Sequence, residues 1–168
     1  MLARTKEPLT SLDDVYGMPG HLFRRMQQIA VAIFMEECKA FDMTPLQYAA
    51  LVAIRAHPGI DATRLSALIA FDRSTLGSVI ERLETKGLLA RKPGPDDKRI
   101  KLLYLTRAGA DELRGVEPAV SGAQSRMLAA LKPADRKTLL KLMARLVDLN
   151  NETSRAPVRP ADAGRRST

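Results

Sequence analysis

The 168-residue sequence has one cysteine, Cys38, no tryptophan, two histidines, and only four phenylalanines and three tyrosines. One cysteine excludes an internal disulfide framework and fits a reducing compartment. So few aromatics suit Leu/Ala/Met-rich helices better than a β-sandwich. His21, His57 and Cys38 are too few, and too far apart in sequence, to suggest a zinc site. There is no Gly-rich phosphate loop, no nucleophile elbow and no paired acid/base signature. The expectation is therefore a protein that is not an enzyme, with no catalytic residue, metal or cofactor. No apolar run approaches the roughly 20 residues of a membrane span. The basic residues near the N-terminus are not followed by the apolar stretch of a signal peptide. A cytoplasmic location without membrane contact is expected.

What the chain does have is apolar content, 45%, and basic charge, +8 with a pI near 10.0. The charge is localised. Residues 61–110 carry ten Lys/Arg against six Asp/Glu, whereas residues 1–60 carry six of each. A confined basic face points to an anionic partner such as nucleic acid.

The apolar spacing predicts a mainly α fold. Residues 1–16, polar with Pro8 and Asp13-Asp14, read as a flexible arm with room for one helical turn. Gly17 and Pro19 mark a helix start. Leu22, Phe23, Met26, Ile29, Ala30, Ile33 and Phe34 then recur in steps of three and four, giving a helix to about Ala40 whose apolar face is wider than one neighbour needs. Thr44-Pro45-Leu46-Gln47 is a capping-box start, and His57-Pro58-Gly59 stops the helix that follows. Asp61 caps a short helix carrying Leu65, Leu68 and Ile69. Asp72 caps the next one, with Leu76, Val79, Ile80 and Leu83 on one stripe. At about 100° per residue, Ser74, Ser78, Glu81 and Thr85 face the other way, flanked by Arg73 and Arg82. Gly87 ends this helix.

Leu88–Lys92 and Arg99–Leu105 have strand character around a turn-rich tip, Pro93-Gly94-Pro95-Asp96-Asp97-Lys98. Thr106 caps a long helix to about residue 131, which Gly115, Pro118 and Gly122 should bend. Pro133 starts a last helix with Leu139, Leu142, Met143, Leu146 and Leu149 on a heptad-like seam. Residues 152–168, nearly without apolar side chains, read as a disordered basic tail containing Arg155, Arg159, Arg165 and Arg166.

Residues 61–106 therefore read as a helix-turn-helix followed by a basic β-hairpin. A helix that enters the major groove needs small polar side chains facing outward and cations at its edges. Ser74, Thr75, Gly77 and Ser78 are small and lie in the N-terminal turns, and Arg73 and Arg82 supply charge. A solvated amphipathic helix has the same pattern, so the hairpin carries more weight. Arg91, Lys92, Lys98, Arg99 and Lys101 cluster around a tip held by Pro and Gly, a shape that can take an arginine into the narrow minor groove. Asp97 beside Arg99 makes sense if its carboxylate keeps the guanidinium extended. A charged edge hairpin blunted against aggregation is the competing account.

Leu83-Glu84-Thr85-Lys86-Gly87-Leu88-Leu89, and Asp97-Lys98-Arg99 with Leu105-Thr106 and Gly109, resemble the recognition-helix end and wing signature of the MarR family of bacterial transcription regulators. The resemblance covers about residues 17–151. It implies a winged helix-turn-helix over 44–106, with helices 17–40 and 107–151 forming a dimerisation region. It also implies a homodimer that binds double-stranded DNA at a pseudo-palindromic operator and is released by a small ligand. By the same match Arg99 is the minor-groove arginine and Asp97 its support.

Met18-Pro19-Gly20-His21-Leu22-Phe23-Arg24-Arg25 further resembles the subgroup controlling nicotinate and aromatic-acid catabolism. A carboxylate ligand needs a cation, and a hydroxyl or ring nitrogen needs a donor or acceptor. His21, Arg24, Arg25, Gln28 and Tyr48 are the candidates for a hydroxynicotinate, hydroxybenzoate or cinnamate effector, although each would also serve as a surface charge, a cap or a packing residue. Two other readings remain. One is a redox switch at Cys38, which the acidic neighbours Glu36 and Glu37 disfavour by opposing the thiolate. The other is a basic RNA- or protein-binding helical module that touches phosphates without reading sequence.

Overall fold

The computed structural model describes residues 11–159. Ser11 opens a capping box with Asp14 onto a short helix, α1 (Leu12–Tyr16). The expected flexible arm over 1–16 thus ends in one turn of helix, and residues 1–10 lie outside the described residues. Helix α2 (Pro19–Glu37) starts at its proline and gives way to a 3-10 turn, Lys39–Phe41, instead of running to Ala40. Asp42, in the left-handed region at φ 45°, closes that turn.

Helix α3 (Pro45–Ala56) has both capping-box bonds expected of it: the Gln47 N–H donates to Thr44 Oγ1 at 3.2 Å, and the Thr44 N–H to Gln47 Oε1 at 2.9 Å. Strand β1 (Ile60–Asp61) follows, then α4 (Ala62–Leu68), α5 (Arg73–Thr85), β2 (Leu89–Pro93), β3 (Lys101–Leu105), α6 (Arg107–Met127) and α7 (Pro133–Asn150). Asp61 caps α4 as expected, accepting from the N–H groups of Thr63 and Arg64. Asp72 precedes α5 but makes no side-chain cap, contrary to expectation. Its carboxylate lies 3.6 Å from the Arg155 guanidinium instead.

Gly87, at φ 71°, ends α5 because only glycine adopts that conformation without strain. Its N–H donates to the Glu84 carbonyl at 2.8 Å, and the next N–H, Leu88, to the Leu83 carbonyl at 3.0 Å. These are the two bonds of a Schellman motif, and they turn the chain directly into β2.

The strands form an antiparallel sheet in the order β1-β3-β2, with Ile60 opposite Leu103 and Leu89 opposite Leu105. The hairpin expected from sequence therefore has a third strand. Arg99 and Ile100 belong to its tip and not to β3. Because β3 is central, its Leu103 is the side chain driven into the core, while Ile100 is exposed.

The core joins both halves of the chain. Leu51 and Ile54 of α3, Leu65 of α4, Leu76 and Leu83 of α5, Leu103, and Leu113 and Val116 of α6 are all fully buried. Helix α2 packs on α6, and Arg126 bridges both Glu36 and Glu37 across that contact. Helix α6 stays continuous through Gly115, Pro118 and Gly122 and ends at Met127, short of residue 131. Helix α7 buries none of its residues. Leu140, Leu142, Leu146, Val147 and Leu149 are exposed on it, as are Leu22, Phe23 and Ile29 on α2. After α7 the expected disordered tail is not what residues 152–159 show. Asn151–Thr153 is a 3-10 turn, and the Arg159 N–H reaches the Ala67 carbonyl of α4 at 2.9 Å. The remainder of the tail, including Arg165 and Arg166, lies outside the described residues. Among the described residues no helix is long and apolar enough to cross a membrane.

Candidate nucleic-acid interface and effector cleft

The core fixes which way α5 faces. Burial of Leu76, Val79, Ile80 and Leu83 leaves Arg73, Ser74, Thr75, Gly77, Ser78 and Arg82 exposed on one continuous side. The Ser78 hydroxyl donates back to the Thr75 carbonyl at 2.9 Å and that of Thr85 to the Glu81 carbonyl at 2.9 Å. These bonds keep the short polar side chains close to the helix. The turn leading into α5 runs through Ala70, at φ 52°, and the Phe71 N–H is held by the Ser66 carbonyl at 3.0 Å.

The hairpin beside α5 is anchored at one end and open at the other. Arg91 was expected among the phosphate-binding cations, but the structure engages it elsewhere. Its Nε donates to the Glu84 carboxylate at 2.7 Å and its Nη2 to the same oxygen. The Glu84 carboxyl is held below the usual carboxylate range, first by this hydrogen bond. Arg91 is thus a strap from β2 to the last turn of α5. The sequence cluster of cations could not reveal this, because the partner sits on the preceding helix. The Lys92 ammonium lies over the Tyr104 ring, 5.0 Å from its centre, a cation–π contact. Lys98 and Lys101 are exposed.

At the tip, Asp97 Oδ1 accepts from the Arg99 backbone N–H at 2.9 Å and from Arg99 Nε at 3.2 Å. Both bonds favour the charged carboxylate, the backbone one more, and hold the Asp97 carboxyl below its ordinary range. The Arg99 side chain is otherwise 93% exposed. The tip is pinned by the Gly94 N–H to the Ile100 carbonyl at 2.9 Å and the Ile100 N–H to the Asp97 carbonyl at 3.1 Å. One carboxylate therefore fixes the root and the Nε of an arginine and leaves its two terminal nitrogens pointing outward.

A second feature lies at the start of α2. His21, Arg24 and Arg25 line an open cleft of about 780 Å³ together with Tyr16, Leu22, Met26 and Ile29. Arg24 donates from Nη1 to Gln28 Oε1 at 3.2 Å and stands 3.5 Å from His21 Nδ1. The His21 ring lies 5.2 Å from that of Tyr16. Four of the five expected effector residues are thus grouped. Tyr48 is not among them: it packs on the core beside the Phe34 ring, 6.2 Å away. Tyr16 takes its place as the aromatic of the cleft. The expected loose arm over 1–16 hides it, since Tyr16 joins the cleft through α1.

Cys38 is 0% exposed, and burial, followed by the Glu37 charge, pushes its thiol pKa up. Both effects oppose the thiolate that a redox switch needs. No cluster of metal-ligating side chains occurs among the described residues.

A helix-turn-helix with a three-stranded sheet and a cationic wing defines a winged-helix DNA-binding protein. Comparison with known proteins narrows the class. A sequence model of the MarR family matches residues 41–100. A putative transcriptional regulatory protein for the hcr operon of Thauera aromatica is 32% identical over 144 residues, spanning 83% of this chain and 87% of that protein. The transcriptional repressor NicR of Pseudomonas putida is 29% identical over 135 residues, 80% and 85% of the two chains. Among solved structures, Bordetella bronchiseptica BpsR, whose DNA binding is regulated by 6-hydroxynicotinic acid, superposes with a TM-score of 0.74 at 30% identity, covering 79% of this chain and 95% of that one. The chain belongs to the MarR family of transcription regulators. It is a DNA-binding transcription regulator, not an enzyme.

Proposed function

We propose that this chain is a homodimeric repressor that leaves a pseudo-palindromic operator when a small aromatic or heteroaromatic carboxylate binds near the start of α2. The observation that carries the effector reading is the cleft at Tyr16, His21, Arg24 and Arg25. Two guanidinium groups match a carboxylate, an imidazole matches a hydroxyl or ring nitrogen, and Tyr16, Leu22 and Met26 offer apolar surface to a ring. That BpsR responds to a hydroxylated pyridine acid supports the same class of ligand. The exposed apolar faces of α2 and α7 support the dimer, since one chain leaves them without cover.

On the operator, Ser74, Thr75, Gly77 and Ser78 face base edges in the major groove, Arg73 and Arg82 meet phosphates, and Arg99 enters the minor groove with Lys92, Lys98 and Lys101 alongside. Arg91 supports the wing from behind.

The test is operator binding by fluorescence anisotropy, using DNA from the promoter of the protein's own gene, with hydroxylated nicotinates, benzoates and cinnamates as effectors. At least one acid is expected to lower affinity and to raise the thermal midpoint. Arg24→Ala should abolish both responses and leave operator affinity intact. If no acid of these classes changes either quantity, the effector reading fails. If the protein does not prefer its promoter over random duplex, the operator reading fails.

Gly77 gives a second expectation. A Cβ at this position meets nothing within 4 Å, and glycine inside a helix costs about 1 kcal/mol relative to alanine. Gly77→Ala should therefore stabilise the fold by up to about 1 kcal/mol in urea unfolding and weaken operator binding, because the added methyl lies on the face that meets bases. Undiminished affinity would remove Gly77 from that face.

A further inference from the structure

The winged helix and the dimerisation helices are complete at Asn150, yet the chain then folds back to the helix-turn-helix. Asn151 closes the loop: its Oδ1 accepts the Val158 N–H at 2.8 Å, and its Nδ2 donates to the Val158 carbonyl at 3.3 Å. Arg159 donates from both terminal nitrogens to the two oxygens of Glu152, each at 2.7 Å. The Arg159 backbone N–H docks the loop on the Ala67 carbonyl of α4 at 2.9 Å. At the far side of the loop Arg155 lies 3.6 Å from the Asp72 carboxylate, at the head of α5.

These contacts differ in kind. The fork of Arg159 on Glu152 is bidentate, which specifies geometry as well as attraction, and the bond to Ala67 fixes the loop through its backbone. The Arg155–Asp72 pair is long, and the Arg155 side chain is 88% exposed. A pair of that kind adds little to stability, so stability does not account for an arginine at this spot. Its electrostatic effect does. Asp72 directly precedes Arg73, Ser74 and Thr75, in the turn where a recognition helix approaches DNA. A carboxylate there repels phosphate. Arg155 offsets that charge and leaves an exposed guanidinium on the same rim.

We propose that residues 151–159 are a strap that docks on the helix-turn-helix corner and presents Arg155 to the operator phosphates beside the head of α5. This rests on α5 being the operator-reading helix. Because the strap leaves α7 directly, the helix offered for dimerisation and the cation at the recognition helix are joined by a few residues of chain.

The experiment is the salt dependence of binding to operator and to random duplex, measured by anisotropy on the full chain. Arg155→Ala is expected to reduce the steepness of the log–log salt slope by about 0.9 for each chain and to weaken binding about three- to tenfold on both duplexes alike, as a phosphate contact should. Arg155→Lys should keep the slope. The double variant Glu152→Ala/Arg159→Ala, which opens the latch without touching Arg155, should lose as much as Arg155→Ala. Adding Arg155→Ala to it should cost nothing more. The thermal midpoint and dimer mass of Arg155→Ala should match the wild type. An unchanged slope for Arg155→Ala, or additive losses, would overturn the strap while the operator reading stands. A wild type that binds no duplex would overturn both.

Discussion

Arg99→Ala is expected to cost about 1–3 kcal/mol of operator affinity, roughly 5- to 150-fold, and to leave the dimer and the fold untouched. Both halves of this expectation come from the same geometry. The side chain is almost wholly exposed, so its loss opens no cavity, and its restraint within the fold comes from Asp97. That carboxylate also holds the Arg99 backbone, so the wing tip keeps its shape when the guanidinium is gone. Asp97→Asn should give a smaller loss, since an amide oxygen can still accept the backbone N–H but no longer carries the charge that steadies Nε. The sign of the pH effect follows from the lowered Asp97 pKa. The interaction is complete above the ordinary carboxylate range and is lost as pH falls through the folded-state value, so acid should loosen the tip and a neutral buffer should not. Anisotropy measures the affinity and sedimentation equilibrium the dimer. Wild-type affinity in Arg99→Ala would refute the wing assignment.

What the sequence disclosed here, and what it hid, divides by distance along the chain. The Thr44–Gln47 box, the Asp61 cap and the Gly87 stop are local devices whose partners lie within a few residues, and all three are present in the structure. The Asp97–Arg99 pair is of the same kind. Strand β1 is only two residues long and exists because Ile60 and Asp61 pair with β3, far along the chain; no periodicity develops in two residues. Asp72 has the composition of an N-cap, yet its carboxylate makes no cap bond and lies 3.6 Å from Arg155, beyond the last helix. Arg91 looked like one more wing cation until Glu84 was placed beside it. Tyr16 lines the cleft at the start of α2 because a capping box at Ser11 turns the residues after it into a helix. Charge and composition report what a surface contains, and only the fold reports which of its charges are already spoken for.

Gly109→Ala is expected to destabilise the protein by about 3 kcal/mol, at the upper end of what overpacking costs. Alanine is otherwise the better helix former by about 1 kcal/mol, so the sign here is set by space alone. Gly109 lies in the first turn of α6, where that helix meets the end of α5. A Cβ on it would fall 2.0 Å from the Leu88 carbonyl oxygen and 2.8 Å from Leu105 Cδ1. The carbonyl cannot withdraw, because it accepts the Thr106 N–H at 3.1 Å. Thr106 in turn donates its hydroxyl to the Gly87 carbonyl at 2.7 Å and accepts the Gly109 N–H at 3.0 Å. Leu105, Thr106 and Gly109, part of the stretch that resembles the family's wing signature, are thus a welded corner where α5, the wing and α6 join. Forcing it open should lower the urea midpoint strongly and reduce operator affinity as a consequence, since the wing would no longer hold its angle to α5. A Gly109→Ala protein as stable as wild type would mean that α6 can slide away from Leu88, and that the corner does not set the wing.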